Sequence, residues 1–330
     1  MKLKLLKLTT LLCSSILLFS TVSVNAASSK AKSIGPSTRL TATSSSYNVR
    51  IKKPKKSLTI TTGDDYNNRR LILYVKGNYK SYFNNKKNRK LKVDKYFRSY
   101  KVTYSNGYTR IYIRPRKSVI KAYSVTQTSN YIYVRYASPK SMYKKIVVVD
   151  AGHGGSDTGA TGNGLQEKNL TLQIVQAMKK RFDKNSSVKV YYTRLSDWYP
   201  SLDARSALSN NVKADRFISV HINSFQKTSK GTETLYNSKG YKSSSGLTSY
   251  KWSKTTHSYI LSATGFTNRG LVNRTGLSVL RKTKTASTLT EIGFITNPSE
   301  AKSMKANTDR YGNALYNSIL NSFSKYPTKR

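Results

Sequence analysis

The sequence predicts an α/β fold with a mostly parallel, twisted sheet flanked by helices, preceded by a smaller all-β domain. Three observations carry that reading. Between about 50 and 137, apolar and aromatic residues alternate with polar ones at the period of a strand. After about 145, short apolar runs alternate with stretches of helical spacing, the pattern of strands joined by crossover helices. The charge balance shifts at the same place: residues 28–145 hold 29 basic and 3 acidic side chains, whereas 146–330 hold 27 and 11.

Residues 1–26 begin with Lys2, Lys4 and Lys7, continue in an apolar run from Leu8 to Phe19, and end on Val24-Asn25-Ala26, small residues suited to cleavage. This is the pattern of a secretory signal peptide. The run is too short and too rich in Ser and Thr for a membrane span, which needs about 20 apolar residues; no stable membrane insertion is expected. The single cysteine, Cys13, lies inside this segment. A mature chain without thiols excludes a disulfide scaffold, a cysteine nucleophile and a Cys-based metal site, so any metal must take His and carboxylate ligands. Residues 27–49, dominated by Ser, Ala, Thr and Lys without apolar periodicity, read as a flexible linker.

The β domain is expected over 50–140. Its strands include Leu71–Val75, Thr109–Ile113 and Tyr131–Tyr136, and Asn106-Gly107 marks a hairpin, because both residues tolerate positive φ. Fifteen of the 25 tyrosines lie in this half among Lys and Arg. Tyrosine is a good strand former, which explains most of them; interleaved with cations they also suit stacking surfaces for sugar rings or a nucleic-acid platform.

The α/β domain is expected over 146–325. Ile146–Asp150 reads as a buried strand, Leu170–Phe182 as an amphipathic helix, Val188–Tyr192 as the next strand, and 201–212 as a helix. The strands Arg216–His221 and Thr290–Ile295 follow, the latter starting near Ala286, and a helix over 308–323 closes the fold. The stretch 237–276 is polar and short, with no helical insert to plug a site. No internal repeat of fixed period is evident.

The chain has 3 histidines. His153 and His221 each follow a buried strand, and in parallel sheets ligands bind beyond the carboxyl ends of strands, so the two converge. Glu167 sits at the start of the long helix, where an acid is also favoured simply by the helix dipole. Two imidazoles and a carboxylate form a zinc set with a fourth position left for water. Glu291 interrupts an otherwise apolar strand, where an unpaired carboxylate is costly and therefore needs a function or a partner. A carboxylate there can take a proton from a zinc-activated water and return it to the leaving nitrogen of an amide, so Glu291 is assigned as general acid/base. The glycine-rich run Gly152–Ala160 lacks the endings of a phosphate loop or a dinucleotide fingerprint. His257, in a Ser/Thr-rich stretch, reads as exposed and non-ligating.

Residues 146–325 resemble the zinc-dependent amidase type 3 family, the N-acetylmuramoyl-L-alanine amidases. The resemblance rests on Val149-Asp150-Ala151-Gly152-His153-Gly154-Gly155, Gly164-Leu165-Gln166-Glu167-Lys168, Ser219-Val220-His221-Ile222-Asn223-Ser224 and Thr290-Glu291-Ile292-Gly293-Phe294-Ile295-Thr296-Asn297. It implies one Zn2+ per chain on His153, Glu167 and His221, catalysis by Glu291, and hydrolysis of the amide between N-acetylmuramic acid and L-alanine in peptidoglycan. Leu202-Asp203-Ala204-Arg205 and Ala214-Asp215 also fit the family pattern. Thr285-Ala286-Ser287 departs from it, as do Thr288 and Thr290, and this questions the packing of the last strand. The first domain is similar, through Tyr108–Ile113, to the AMIN type of wall-targeting domain.

With a formal net charge of +45 the chain attracts polyanions. For a secreted protein these are teichoic acids and other anionic wall polymers rather than nucleic acid, and a cell-wall-associated, extracellular location is expected. The alternatives are a non-catalytic wall-binding protein with a decayed amidase domain, and an enzyme of this architecture acting on another amide.

Overall fold

The computed structural model describes residues 32–34, 36–92, 97–116, 120–184, 187–243 and 245–329. The expected signal peptide at 1–26 lies outside the described residues. In the first half the order is β1 Lys32–Ile34, β2 Val49–Lys52, β3 Ile60–Asp65, β4 Arg70–Lys76, α1 Lys80–Asn84, β5 Arg89–Leu91, β6 Phe97–Ser105, β7 Tyr108–Pro115, β8 Ala122–Gln127, β9 Tyr131–Ala137 and α2 Pro139–Met142. These strands form two antiparallel sheets, ordered β1-β8-β9-β2-β5 and β3-β4-β7-β6. Val49, Ile51, Leu73, Ile111, Ile113, Ile132 and Val134 fill the core they share. Asn106 and Gly107 carry φ of 49° and 74° between Ser105 and Tyr108, as the hairpin reading requires.

The linker expected over 27–49 is corrected by the described part of that stretch. There β1 pairs with β8, Lys32 opposite Gln127 and Ile34 opposite Val125. Ala42 is fully buried, its N–H donating to Ser124 Oγ at 3.1 Å and its carbonyl accepting from Thr126 Oγ1 at 2.7 Å. The segment lacks apolar periodicity because borrowed side-chain hydroxyls, rather than an apolar face, hold it down.

The second half runs β10 Ile146–Ala151, β11 Thr161–Gly162, β12 Leu165–Gln166, α3 Glu167–Lys184, β13 Lys189–Tyr192, α4 Leu202–Val212, β14 Arg216–Asn223, β15 Thr232–Tyr236, α5 Ser249–Thr264, β16 Asn268–Asn273, α6 Ser278–Lys282, β17 Ala286–Phe294, α7 Pro298–Ala306 and α8 Thr308–Lys325. Six strands form a sheet ordered β13-β10-β14-β17-β15-β16. The sheet is mixed: β13, β10, β14 and β17 are mutually parallel, and β15 runs antiparallel to β17. The connection from β14 to β15 spans 224–231 and contains no helix. That is too short for a crossover, so the chain returns in the opposite direction.

Helices α3, α5 and α8 pack together over one face of this sheet, with Ile174, Met178, Trp252, Leu315 and Ile319 in the core. A second cluster runs between the halves, placing Ile120, Ala122 and Tyr143 with Val148, Tyr191 and Phe217. The turn after β3 completes the joint. Tyr66 Oη donates to the Tyr192 carbonyl at 2.6 Å and accepts from the Tyr192 N–H at 2.7 Å, while Lys189 Nζ pairs with Asp64 at 2.6 Å. Tyr66 thereby covers the free edge of β13, a position otherwise open to unwanted strand pairing.

Candidate functional site

Parallel β10, β14 and β17 end on the same edge of the sheet, which is what gathers the site. Asp150 stands beside Ser219 and His221 beside Glu291 in the strand register. His153 follows β10 by two residues in the left-handed region, φ 60°, a conformation a non-glycine residue adopts only where its surroundings enforce it. Two glycines make room. A Cβ on Gly152 would stand 2.5 Å from His221 Cε1, and one on Gly159 would stand 2.6 Å from Glu167 Oε2.

His153, Glu167 and His221 come together as the sequence predicts, with ligand-type atoms within 4.8 Å of one another. Glu167 Oε1 lies 3.1 Å from His153 Nε2 and 2.9 Å from His221 Nδ1, and accepts the Ile222 N–H at 2.9 Å. Its other oxygen accepts the Ala160 N–H at 2.9 Å. On the far side of His153, Nδ1 meets Asp157 Oδ2 at 2.9 Å, which fixes the ring and leaves Nε2 turned inward. Burial alone would raise the Glu167 pKa, but the two imidazoles hold it well below the usual carboxylate range. Burial would likewise lower His221, and Glu167 instead lifts it to about 9. Such mutual stabilisation is what a cation shared by the three would replace.

Glu291 is placed beside this cluster without a partner. Its Oε2 is buried with no hydrogen bond. Burial raises its pKa to about 7, opposed by His221 and reinforced by Glu167 and Glu233. A carboxyl poised near neutrality next to a three-ligand metal set can both accept and release a proton. The family model described as N-acetylmuramoyl-L-alanine amidase, amidase type 3, matches residues 147–321.

The chain belongs to that family.

Among its relatives is the sporulation-specific N-acetylmuramoyl-L-alanine amidase of Bacillus subtilis, 39% identical over 49% of this chain and 61% of that protein. The chain thus spans less than two thirds of that relative. The endolysin of Bacillus phage SPP1 is 39% identical over 49% of this chain and 59% of its own length. The fold matches the catalytic domain of CwlV from Bacillus (Paenibacillus) polymyxa var. colistinus, with a TM-score of 0.50 and 29% identity. That match covers 55% of this chain and 99% of the other. An N-acetylmuramoyl-L-alanine amidase structure from Clostridium difficile 630 gives a TM-score of 0.50 and 31% identity over 55% of this chain and 97% of the other.

The amidase domain also uses residues to which the sequence reading gave no role. Arg205 Nη1 donates to Asp150 at 2.8 Å and to the Ala151 carbonyl at 2.6 Å, and its Nη2 donates to the His153 carbonyl at 2.8 Å. Arg194 bonds the carbonyls of Ala151, Gly152 and Lys168. These two buried guanidiniums hold the backbone that carries His153. Burial would raise the Asp150 pKa; Arg205, with the hydroxyls of Ser219 and Thr193, outweighs that and holds it below the usual range. Beyond β17, Glu300 accepts the N–H groups of Gly231 and Phe294, and Asn297 caps α7. Arg194 and Arg205 both had a readable signal: Arg194 comes two residues after the strand Lys189–Tyr192, and Arg205 lies in the Leu202–Arg205 stretch that fits the family pattern.

One expectation is corrected here. His257 is buried on α5, bonded through Nδ1 to Thr234 Oγ1 at 3.1 Å and through Nε2 to Asn268 Oδ1 at 2.8 Å; it lies outside the metal-type cluster but is not exposed. The stretch 237–276 contains helix α5, whose contacts go to the sheet and α8: Trp252 Nε1 donates to the Phe217 carbonyl at 2.9 Å. Helix α5 and strand β15 together account for the departures on β17. Ser253 Oγ donates to Thr288 Oγ1 at 2.7 Å, Thr290 Oγ1 accepts from Thr234 at 3.5 Å, and the Ser287 N–H donates to Ser249 Oγ at 3.2 Å. The hydroxyls on β17 are matched by hydroxyls on its neighbours.

Exposed aromatics flank the amidase site. Phe225, four residues after His221, is 71% exposed, and Trp198 and Tyr199 pack their backbone against Gly154 and Gly155.

Proposed function

We propose that this chain is a secreted peptidoglycan hydrolase that cleaves the amide between N-acetylmuramic acid and the L-alanine of the stem peptide. The observation that carries it is the pairing of the His153, Glu167, His221 set with the unpartnered carboxylate of Glu291. Two imidazoles and one carboxylate fit Zn2+, and the ring of His153 is already oriented by Asp157 as such ligands are. When bound, zinc supplies Lewis acidity to the amide carbonyl and acidifies water. His153, Glu167 and His221 hold it; Asp157, Arg205 and Arg194 keep His153 and its backbone in place. Glu291 takes the proton released as water adds to the carbonyl and delivers it to the departing L-alanine nitrogen. With a cation held by His153, Glu167 and His221, the Glu291 pKa would fall from about 7, which would favour its base form for the first of these steps.

Digestion of purified peptidoglycan by residues 27–330, with and without chelator and beside Glu291→Ala, tests this. Intact glycan strands plus stem peptides with a free L-alanine amine, absent from both controls, are expected. New reducing sugar ends or other peptide ends would assign a different bond. No products, with zinc bound stoichiometrically, would assign a wall-binding role.

A further inference from the structure

The sheet β3-β4-β7-β6 turns one face to its core and the other to solvent, and the solvent face is basic beyond what folding needs. Along β7, Thr109, Ile111, Ile113 and Pro115 point inward, leaving Arg110, Tyr112 and Arg114 outside. Ser99 stands opposite Arg114, and Lys101 opposite Tyr112. Arg70 stands beside Arg114, one step past the Leu71–Ile113 pair. Together Arg70, Ser99, Lys101, Thr103, Tyr112 and Arg114 line a cavity of about 190 Å³.

Like charges on neighbouring strands destabilise a sheet, and among the described residues of this face Asp65 pairs with Arg70, whose guanidinium also lies 5.0 Å from the Tyr112 ring. Arg110 is engaged by Ser105. Among the described residues the ion pairs include neither Lys101 nor Arg114. Two cations without an ion pair among the described residues therefore flank a pocket edged by the hydroxyl side chains Ser99, Thr103 and Tyr112, an arrangement open to an anion.

The geometry points to a binding site here for a phosphodiester polymer of the wall, a polyol-phosphate chain, in a proposal that rests on the chain acting at the bacterial wall. Planar guanidiniums beside hydroxyls suit the oxygens of a phosphate. Arg110 and Arg114 lie about 13 Å apart along the strand, at about 3.3 Å per residue, so the cations form a row that matches a repeating anion rather than one carboxylate. The pocket is also tied to the amidase domain. Arg70 opens the strand that follows the Tyr66 turn, and Tyr66 is bonded to Tyr192 at the edge of the catalytic sheet. Polymer held here fixes the orientation of the amidase domain on the wall.

The test compares the full chain with Lys101→Glu/Arg114→Glu and with a charge-matched control, Lys302→Glu/Lys305→Glu on exposed α7 positions. The probes are soluble poly(glycerol phosphate), single-stranded DNA of equal phosphate count, and sacculi stripped of phosphodiester polymers. The pocket variant should bind poly(glycerol phosphate) about tenfold or more weakly, the loss of charge-assisted hydrogen bonds. The control should lose less than about threefold, as for a screened surface charge. Lys101→Gln/Arg114→Gln should fall between them, and melting temperatures verify folding. Equal weakening in both charge-reversed pairs would reduce the effect to the overall field and overturn the site. DNA binding with the same dependence on Lys101 and Arg114 and higher affinity would overturn the ligand class. Digestion of stripped sacculi should be the same in all variants; failure of the wild type to digest them counts against the amidase reading and leaves the binding result standing.

Discussion

In the α/β half the buried cations Arg194 and Arg205 direct nearly every donor to a carbonyl or to Asp150, and the backbone they hold carries a metal-type ligand. In the β half the cations Lys101 and Arg114 stand on a sheet face where, among the described residues, no acid pairs with them. The same residue types thus do opposite work. Buried and saturated, they make geometry rigid; unsaturated on a surface, they leave free energy available to a partner. Burial decides which, because a desolvated charge must be paired whereas a hydrated one need not be.

The largest expected effect separates chemistry from rigidity. Glu291→Gln keeps the shape of the site but removes the proton acceptor, and turnover of peptidoglycan should fall by about 10²–10⁴-fold. The melting temperature should hold or rise, because the removed carboxyl has one oxygen, Oε2, buried without a hydrogen bond. A fall in melting temperature with activity kept would mean that Glu291 is structural.

Arg205→Met attacks the saturated network. It leaves Asp150 buried without its cation, and denaturant unfolding at pH 7 should show a loss of about 3–5 kcal/mol. The pH dependence should change sign with it. In the wild type the folded Asp150 pKa lies below its unfolded value, so its contribution is present above the ordinary carboxylate pKa and is lost as pH falls through the folded one. Without Arg205 burial dominates and raises that pKa, so the variant should recover stability relative to wild type on acidification from pH 7 to about pH 4. Parallel losses at both pH values would show that the guanidinium acts through the backbone carbonyls alone.

A smaller effect is expected where the halves meet. Tyr66→Phe leaves the Tyr192 N–H and carbonyl without their shared hydroxyl, a loss of about 1–3 kcal/mol in unfolding free energy. If the halves stabilise each other, one cooperative transition in the wild type should broaden or split in this variant. Smallest of all, Phe225→Ala should raise KM on wall fragments about threefold with kcat unchanged, since the ring is exposed and touches nothing catalytic. A drop in kcat would place it in the reacting geometry.

The metal-type ligands were legible because each stood where local sequence announced a strand end or a helix start. His153 and His221 stand near the ends of largely apolar strands, each interrupted by one polar residue, Asp150 or Ser219, and Glu167 opens a helix with clear spacing. His257 was not legible. The helix that buries it, α5, has its apolar positions diluted by Ser249, Ser253 and Thr256, and the hydroxyls of Ser249 and Ser253 meet polar partners on the sheet. Periodicity arguments see hydrophobicity and miss a buried face built from paired hydroxyls.

The amino-acid sequence by itself determined the two-part composition, the β and α/β periods, the strand-end histidines and the excess of positive charge, because these depend on neighbours a few residues away. Tertiary structure alone decided the antiparallel return of β15, the ordering of residues 36–49 on β8, the clamp of Tyr66 on β13, and which cations are saturated. Each of those depends on what lies across a sheet or a domain joint, tens of residues away in the chain, where hydrogen bonding and desolvation are settled by contact rather than by spacing.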